Sequence, residues 1–307
     1  MTAAISATGI TKRYGHVEAL RGVDLEVPPG EVFALLGPNG AGKTTFVEIL
    51  EGFRRPSSGA ATVLGVDPAT GGASWRARLG IVLQSAGFFE ALTPHEITAH
   101  FASFYPAPLD VEAVIEMVGL KEKRDAVCTS LSGGQKRRVD LALGIIGNPE
   151  LIFLDEPTTG LDPQGRRQIW DVVRSFTALG KTVLLTTHYL DEAEQLADRV
   201  GVIIKGKLAE VGTPREMGGR QRALARVSFD LTGGLAGQPL PEGLIAEIGP
   251  GLATITTAEP TRVVVALSRW AESHGEDEIP GLSVARPSLE DIYLQMVAAS
   301  DAEGVEG

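Results

Sequence analysis

The 307-residue sequence has a single cysteine and no long apolar segment. Cys128 cannot form an intrachain disulfide and has no histidine cluster at zinc-ligand spacing, so we expect a buried or half-buried structural residue. The longest apolar runs, Val32–Leu36 and Val263–Leu267, are five residues each, whereas a bilayer-spanning helix needs roughly 20. The first 15 residues also have neither an apolar centre nor a basic leader. We therefore expect no transmembrane segment, no secretory signal and a cytoplasmic location.

Positive charge is scarce, because 28 Lys and Arg accompany 39 Asp and Glu, which gives a net charge of −11. This balance argues against binding to the phosphate backbone of nucleic acids. However, residues 221–307 hold 5 basic and 13 acidic residues and no lysine, whereas residues 1–220 have a net charge of only −3. Net charge therefore says little about the partners of the first part. The asymmetry predicts two domains, 1–220 and 221–307.

Short apolar runs alternate with helical patterns over the first two thirds of the chain, which is typical of parallel α/β folds. Residues 32–36, 151–154 and 183–185 are predicted as buried strands, each followed directly by polar residues. Because ligands of open α/β sheets bind outside the carboxyl ends of the strands, we expect these polar residues at one rim. Helical patterns alone fill residues 87–145, which predicts a helical subdomain. Patterns after residue 221 predict a small α/β lobe.

A phosphate-binding pattern lies between a predicted strand and a predicted helix. Its glycines would let successive backbone N–H groups and the helix N-terminus face the phosphates. We expect Lys43 to reach the β- and γ-phosphates and Thr44 to hold Mg²⁺. A glycine-rich turn before an unrelated helix is the alternative. The pattern consists of Gly37, Pro38, Asn39, Gly40, Ala41, Gly42, Lys43, Thr44 and Thr45.

Asp155 and Glu156 directly follow the predicted strand at 151–154 and supply the second half of a nucleotide hydrolase. Asp155 would join the Mg²⁺ shell, and Glu156 would polarise the attacking water. Alone, the pair could be a solvated acidic turn. Together with the loop at 37–45, it favours nucleotide hydrolysis.

Residues 131–135, Leu-Ser-Gly-Gly-Gln, begin a predicted helix and form a second helix N-terminus suited to an anion. With this loop the sequence resembles the ATP-binding subunits of ABC transporters, whose signature loop it matches. The resemblance covers roughly residues 5–220, with the motifs in the order of the family. The motifs are Tyr14, residues 37–45, Gln84, residues 131–135, residues 151–156, Leu161-Asp162 and His188.

The resemblance implies a role for each motif residue. Tyr14 would stack on adenine, and His188 would contact the γ-phosphate. Gln84 would touch Mg²⁺ and water and sense the membrane partner, and Asp162 would lie at the seam between subunits. The residues expected to bind the nucleotide held by the opposite subunit are Ser132, Gly133, Gly134 and Gln135. Taken singly, Tyr14, Gln84 and Asp162 would be interpreted as surface residues, and only their order and spacing support these roles.

The resemblance implies a P-loop NTPase fold of the ABC type, with a mixed sheet core and a helical subdomain, followed by a small α/β domain. It also implies an ATP-hydrolysing homodimer with composite, Mg²⁺-dependent ATP sites. Such a dimer would work on a separate integral membrane permease at the cytoplasmic face of the membrane. The closing segment, residues 286–294, resembles the drug-resistance exporter branch, and the expectation of export rests on it alone.

Two interpretations other than a transporter ATPase stay open at this point. A soluble ABC-type ATPase in DNA repair or on ribosomes is disfavoured by the single nucleotide domain and the absence of a basic arm. A non-catalytic member is disfavoured by Glu156 and His188.

Residues 85–94, with Phe88 and Phe89, are predicted to line a groove for a helix of the permease, unless the two rings belong to the core. We expect the acidic cluster at 191–194 to begin a helix, and the remaining histidines to be structural or solvated.

Overall fold

The computed structural model describes residues 2–83, 91–220 and 223–303, with side chains described as far as residue 300. The chain divides into two compact units, Met1–Pro214 and Arg215–Gly307, called unit 1 and unit 2 below. The division falls after Pro214, whereas the sequence analysis placed a domain boundary at residue 220.

Unit 1 contains two sheets. Its strands are β1 (Ile5–Tyr14), β2 (Val17–Val27), β3 (Val32–Leu36), β4 (Ser58–Val63), β5 (Leu79–Val82), β6 (Leu151–Asp155), β7 (Thr182–Thr187), β8 (Arg199–Ile204) and β9 (Lys207–Gly212). Six of them form a sheet in the order β5-β6-β7-β3-β8-β9, in which the β8–β9 pair is antiparallel and the other pairs are parallel. An antiparallel sheet has the order β2-β1-β4. The strands predicted at 32–36, 151–154 and 183–185 are confirmed as β3, β6 and β7.

The helices of unit 1 include three that directly follow the motif-carrying strands β3, β6 and β7. The helices are α1 (Lys43–Leu50), α2 (Ala73–Arg76), α3 (Pro94–Ala102), α4 (Val111–Met117), α5 (Gly133–Ile145), α6 (Pro163–Ala178) and α7 (Leu190–Leu196). Within the described residues 91–145, the regular structure is helical and includes no strand.

Close packing fixes α5 against the sheet. A Cβ atom at Gly80 of β5 would lie 2.2 Å from the carbonyl oxygen of Gly144 on α5, so the two backbones approach more closely than a side chain permits. Strands β3 and β7 are buried along their whole length. Uninterrupted apolar strands of this kind are typical of parallel sheets covered on both faces.

Unit 2 is a small antiparallel sheet with two helices. Its elements are β10 (Ala225–Asp230), β11 (Glu247–Ile248), β12 (Leu252–Thr257), α8 (Pro260–Ser273), β13 (Ser283–Ala285) and α9 (Leu289–Glu303), and the strand order is β11-β12-β10-β13. Phe229 of β10 and Ile255 of β12 share a buried apolar cluster with Leu267 and Trp270 of α8. The apolar run at 263–267 lies inside α8. Across the described ranges, no helix combines the length and apolar content that a membrane crossing requires.

Candidate functional site

Three neighbouring strands of the six-stranded sheet end at the same rim. Strand β3 pairs in register with β7 to its last residue, and Asp155 at the end of β6 pairs with Thr186 of β7. The glycine loop, Glu156 and His188 follow directly after these strands. The parallel register therefore brings the polar segments to one rim, as the sequence analysis expected.

The glycine loop joins β3 to α1 in a space too narrow for side chains at two positions. A Cβ atom at Gly37 would lie 2.3 Å from Ile203 O, and one at Gly42 would lie 2.6 Å from Ala19 O. Gly42 also has a φ of +108°, which glycine adopts without the cost that a Cβ atom brings. Backbone freedom thus explains Gly42, whereas Gly37, which was predicted for the same reason, is required by its packing on β8.

Lys43 is the first residue of α1, and its ammonium group folds back onto the loop. Its Nζ donates hydrogen bonds to Gly37 O at 2.6 Å and to Pro38 O at 3.2 Å. Burial lowers the pKa of Lys43, and the negative charges of Glu156 and Asp155 oppose this shift. The ammonium group can therefore exchange the loop carbonyls for anionic phosphate oxygens.

The carboxylate of Asp155, at the end of β6, and the backbone of Glu156, which follows it, are held by contacts with β7. Thr186 Oγ1 donates a hydrogen bond to Asp155 Oδ1, and Glu156 N donates one to Thr186 O at 3.0 Å. Glu156 has a φ of +44°. A left-handed conformation of this kind costs a residue with a side chain about 1–3 kcal/mol and persists only where the surroundings hold it. The backbone of Glu156 is thus held in a strained conformation at the rim.

Glu156 and His188 meet side by side. His188 Nδ1 lies 3.3 Å from Glu156 Oε1, and Thr159 Oγ1 donates a hydrogen bond to Glu156 Oε2 at 3.0 Å. The glutamate side chain is 14% exposed and the histidine side chain is 42% exposed, so the carboxylate is shielded while the ring faces solvent. A carboxylate oriented in this way can accept a proton from a water molecule.

The signature loop at 131–135 begins α5 with a capping box. Ser132 Oγ accepts a hydrogen bond from Gln135 N at 3.3 Å, and Gln135 Oε1 accepts one from Ser132 N at 2.9 Å. A Cβ atom at Gly133 would meet nothing within 4 Å. Because glycine places no side chain there, the positive end of the helix is open to an anion.

The signature loop forms one wall of an open pocket of about 470 Å³. The facing wall comes from residues 160–168 and includes Asp162, whose Oδ1 caps α6 by accepting a hydrogen bond from Gly165 N at 2.7 Å. Of the residues that the structure describes, none from the glycine loop lines this pocket. One chain therefore brings Ser132 to Asp162 but does not bring Lys43 into the same pocket.

Tyr14 ends β1 with its ring 40% exposed. Lys12 Nζ lies 5.3 Å from the ring centroid, and the guanidinium of Arg54 lies 5.6 Å from it. Both distances fall in the range of cation–π attraction, and an exposed aromatic face can stack on a base.

Part of the predicted site lies outside the described residues. This part includes Gln84, the predicted Mg²⁺ and water sensor, as well as Phe88 and Phe89 of the predicted permease groove. Their roles stay predictions. Leu83, the last described residue before them, is 48% exposed.

The acidic cluster at 191–194 lies at the start of α7, as predicted, but Glu192 is not solvated there. It lies in the first turn of α7, yet it is fully buried, and Trp170 Nε1 donates a hydrogen bond to its Oε1 at 3.2 Å. Burial raises the pKa of this carboxyl group. The burial of Glu192 and the contacts of Thr186 were not predicted from the sequence. The available signal for Glu192 is its spacing of four residues from the buried Leu196, which places both on one face of α7.

The remaining histidines, all among the described residues, each have their own separate surroundings. His95 Nε2 lies 3.2 Å from Glu112 Oε1, and His274 Nδ1 lies 2.8 Å from Trp270 O, while His16 and His100 are exposed. Cys128 is buried, as expected. No group of three or more His, Cys, Asp or Glu within the described ranges is arranged to hold a metal ion.

The class of P-loop nucleotide hydrolases is defined by a buried strand, a glycine loop and a helix, together with a second strand that ends in Asp155 and is followed by Glu156. Comparison with known proteins narrows this class. Residues 20–159 match the family described as ABC transporter.

Similarity extends along nearly the whole chain. The chain is 36% identical to the daunorubicin/doxorubicin resistance ATP-binding protein DrrA of Streptomyces peucetius, over 96% of this chain and 92% of that protein. It is also 36% identical to the Nod factor export ATP-binding protein I of Rhizobium meliloti, over 95% and 88% of the two chains. Among solved structures, cbiO1 of Clostridium perfringens, part of the ABC transporter complex cbiONQ, superposes with a TM-score of 0.64 at 27% identity, over 70% of this chain and 90% of that one. The protein therefore belongs to the ATP-binding cassette family, whose members are ATPases coupled to transport.

Proposed function

We propose that this ATPase powers export through a separate integral membrane permease, and that it works as a homodimer with two composite ATP sites. The contact between Glu156 and His188, at the rim that also holds Lys43, carries the hydrolytic part of the proposal. The direction of transport is inferred from the two relatives, whose names refer to drug resistance and to Nod factor export.

The residues of the rim fit a magnesium nucleotide. Lys43 would exchange its bonds to loop carbonyls for bonds to the β- and γ-phosphates of ATP. The hydroxyl of Thr44 and the carboxylate of Asp155 are hard oxygen donors of the type that Mg²⁺ prefers, and Gln84 would add a third. The metal ion would neutralise charge on the phosphates. Tyr14 would stack on the adenine ring, a contact worth on the order of 1 kcal/mol.

Hydrolysis would depend on the Glu156 carboxylate as the group that orients and deprotonates the attacking water. Thr159 and His188 hold its two oxygens, so its direction is set before the nucleotide arrives. His188 is the more exposed of the two, and its ring would reach the γ-phosphate.

A second copy of the chain would complete each site. Because the glycine loop does not line the pocket of Ser132, we propose that the signature loop binds the γ-phosphate of ATP held by the partner copy, with Asp162 at the seam. ATP then joins the two copies. The closed dimer would bind ATP more tightly than ADP. Hydrolysis removes the bridging γ-phosphate, so the dimer would then open.

The permease would hold the dimer at the cytoplasmic face of the membrane, with residues 85–94 as part of the groove that receives one of its helices. We propose no nucleic-acid partner. The acidic lobe predicted at 221–307 falls within unit 2, and we propose that it serves the dimer or a regulatory face.

The variant Glu156→Gln tests the catalytic assignment. It keeps the shape of the side chain and removes the base, so ATP turnover should fall by about 10²- to 10⁴-fold while ATP binding persists and ATP-bound dimers accumulate. Phosphate release and light scattering with ATP and Mg²⁺ measure the two effects. Unchanged hydrolysis would reject Glu156 as the base.

Mixing subunits tests the composite site. Lys43→Ala and Ser132→Arg chains should each have little activity alone, because each pure dimer has a defect in both sites. In a mixed dimer, one site combines the glycine loop of the Ser132→Arg chain with the signature loop of the Lys43→Ala chain and is intact, so mixing should restore activity above that of either pure variant. No recovery on mixing would reject shared sites. Co-purification then separates the transporter from a soluble ATPase, because a polytopic membrane protein supports the first and bound nucleic acid supports the second.

A further inference from the structure

Arg137 is a buried cation that the proposed chemistry does not use. It lies on α5 immediately after the signature loop and is 8% exposed. Its Nε donates a hydrogen bond to Pro157 O at 2.9 Å, and its Nη2 donates to Asp155 O at 2.9 Å and to Glu156 O at 3.4 Å. Its Nη1 donates to Leu83 O. One side chain therefore connects the signature helix to two segments of the rim.

The acceptors are all main-chain carbonyls, so Arg137 acts on the backbone path of these segments. Three consecutive acceptors, residues 155–157, include both carboxylate residues of the rim. Among them, Glu156 has the strained φ of +44°. The guanidinium group thus helps to hold a backbone conformation that the local sequence disfavours. The fourth acceptor, Leu83, directly precedes Gln84.

The cost of burying Arg137 is high, and the negative charges of Asp140, Asp155 and Glu192 offset it only in part. Asp140, one turn further along α5, has its Oδ2 3.7 Å from Nη1. Burial lowers the pKa of Arg137 and raises the pKa of Asp140 to about 6. Well-packed apolar residues often stabilise an interior as well as a buried ion pair does. A planar fork of donors aimed at the catalytic backbone therefore favours a positioning role over a purely stabilising one.

We infer that Arg137 is a positioning residue, which ties the signature helix to the backbone of Asp155 and Glu156 and thereby sets the direction of the catalytic carboxylate. The inference rests on the proposed function, because Arg137 joins the loop that would bind the nucleotide of one site to the base of the other site. A shift of α5 when Ser132 engages a nucleotide would move the three carbonyls with it, since the guanidinium group is rigid and bonded to all of them.

The test compares Arg137→Met with Arg78→Met in the full-length chain. Arg78 ties the opposite ends of the same strands, because its Nε donates to Glu150 Oε1 at 2.6 Å and its Nη1 donates to Leu64 O at 3.2 Å. Loss of Arg137 should lower kcat for ATP hydrolysis by about 10²-fold with KM changed less than threefold, since displacement of a catalytic group by about 1 Å has this effect. Loss of Arg78 should lower only the melting temperature.

Arg137→Lys covers the case in which the methionine variant fails to fold. Lysine keeps the charge but lacks the planar fork, so we expect near-normal melting with kcat lowered by about 10-fold. A kcat equal to that of the wild type in this variant, or a loss in Arg137→Met that matches the loss of folded protein, would overturn the inference. So would a rise in KM at constant kcat.

Failure of the dimer proposal gives a different result. If Glu156→Gln stays monomeric with ATP while Arg137→Met still loses kcat, the composite site is wrong and Arg137 positions the base within its own chain. If Glu156→Gln dimerises while the Arg137 variants keep full kcat, the dimer stands and the inference about Arg137 is wrong.

Discussion

The two units of the chain differ in what they bury. Unit 1 buries ionisable side chains next to its apolar core, whereas the buried side chains of unit 2, among its described residues, are apolar. The buried charged residues of unit 1 are Glu31, Lys43, Glu51, Arg137 and Glu192. Removing such groups from water costs free energy unless fixed partners replace the water. Unit 1, which carries the glycine loop and the carboxylates of residues 155 and 156, therefore accepts a stability cost that the described residues of unit 2 do not carry.

The largest expected effect on stability is in unit 2, from Leu267→Ala. Leu267 is fully buried between α8 and the sheet, so the cavity should cost about 2–5 kcal/mol in the free energy of unfolding. Denaturant unfolding followed by tryptophan fluorescence measures it. Val265→Ala, at a 45% exposed position of the same helix, is the control and should cost less than about 0.5 kcal/mol. Equal small effects would show that apolar packing does not hold unit 2 together.

In unit 1, Glu51→Gln should stabilise the fold, whereas Leu267→Ala should destabilise unit 2. Burial raises the pKa of Glu51 to about 8, with smaller contributions from Asp155 and Glu48. The folded chain thus keeps a proton that the unfolded chain loses above pH 4.5, and stability falls as the pH rises through this window. Gln removes the effect, so the variant should be about 3 kcal/mol more stable than the wild type at pH 7 and little different at pH 4.

Unfolding without nucleotide at the two pH values checks this prediction. Glu116→Gln is the control, because Glu116 is exposed on α4, pairs with Lys121 and does not contribute to the pKa shift of Glu51. A gain that does not depend on pH would mean that the Glu51 carboxylate is ionised without penalty.

Lys43→Ala tests the proposed role of a buried charge of unit 1 in binding ATP. Loss of charge-assisted bonds to the phosphates should weaken ATP binding by about 10- to 100-fold. The matched change in unit 2, Arg262→Ala, removes an exposed cation paired with Glu259 and should leave ATP affinity unchanged. Titration with a fluorescent ATP analogue measures both. Equal affinities in the two variants would contradict the role of Lys43.

The rim could be predicted from the sequence because its signals are local. The strand at 32–36, the glycine loop and the pair at 155–156 are each continuous segments. The contact that holds the backbone of Glu156 could not be predicted, because Thr186 is 30 residues from Glu156 and meets it only through strand register. Arg137 shares one face of α5 with buried residues 141 and 145, and this spacing was the available signal. A charged residue on an apolar helix face therefore indicates fixed hydrogen-bond partners elsewhere in the fold.

The smallest expected effects concern the helix caps that both units use. In unit 1, Gln135 closes the capping box of Ser132, and in unit 2, Asp291 does the same for Ser288, with its Oδ2 accepting from Ser288 N at 2.8 Å. Gln135→Ala and Asp291→Asn should each cost about 0.5–1 kcal/mol at pH 7.

The stability contributions of the two caps should differ in acid. Hydrogen bonds from Ser288 lower the pKa of Asp291 below its usual 3.8, so its contribution is present above that value and is lost as the pH falls through the lowered pKa. Gln135 does not titrate. Unfolding at successively lower pH should therefore show the cost of Asp291→Asn vanishing while the cost of Gln135→Ala remains. If both costs persist in acid, the charge of Asp291 contributes nothing to its cap, and the helix caps of the two units would be held by the same neutral hydrogen bonds.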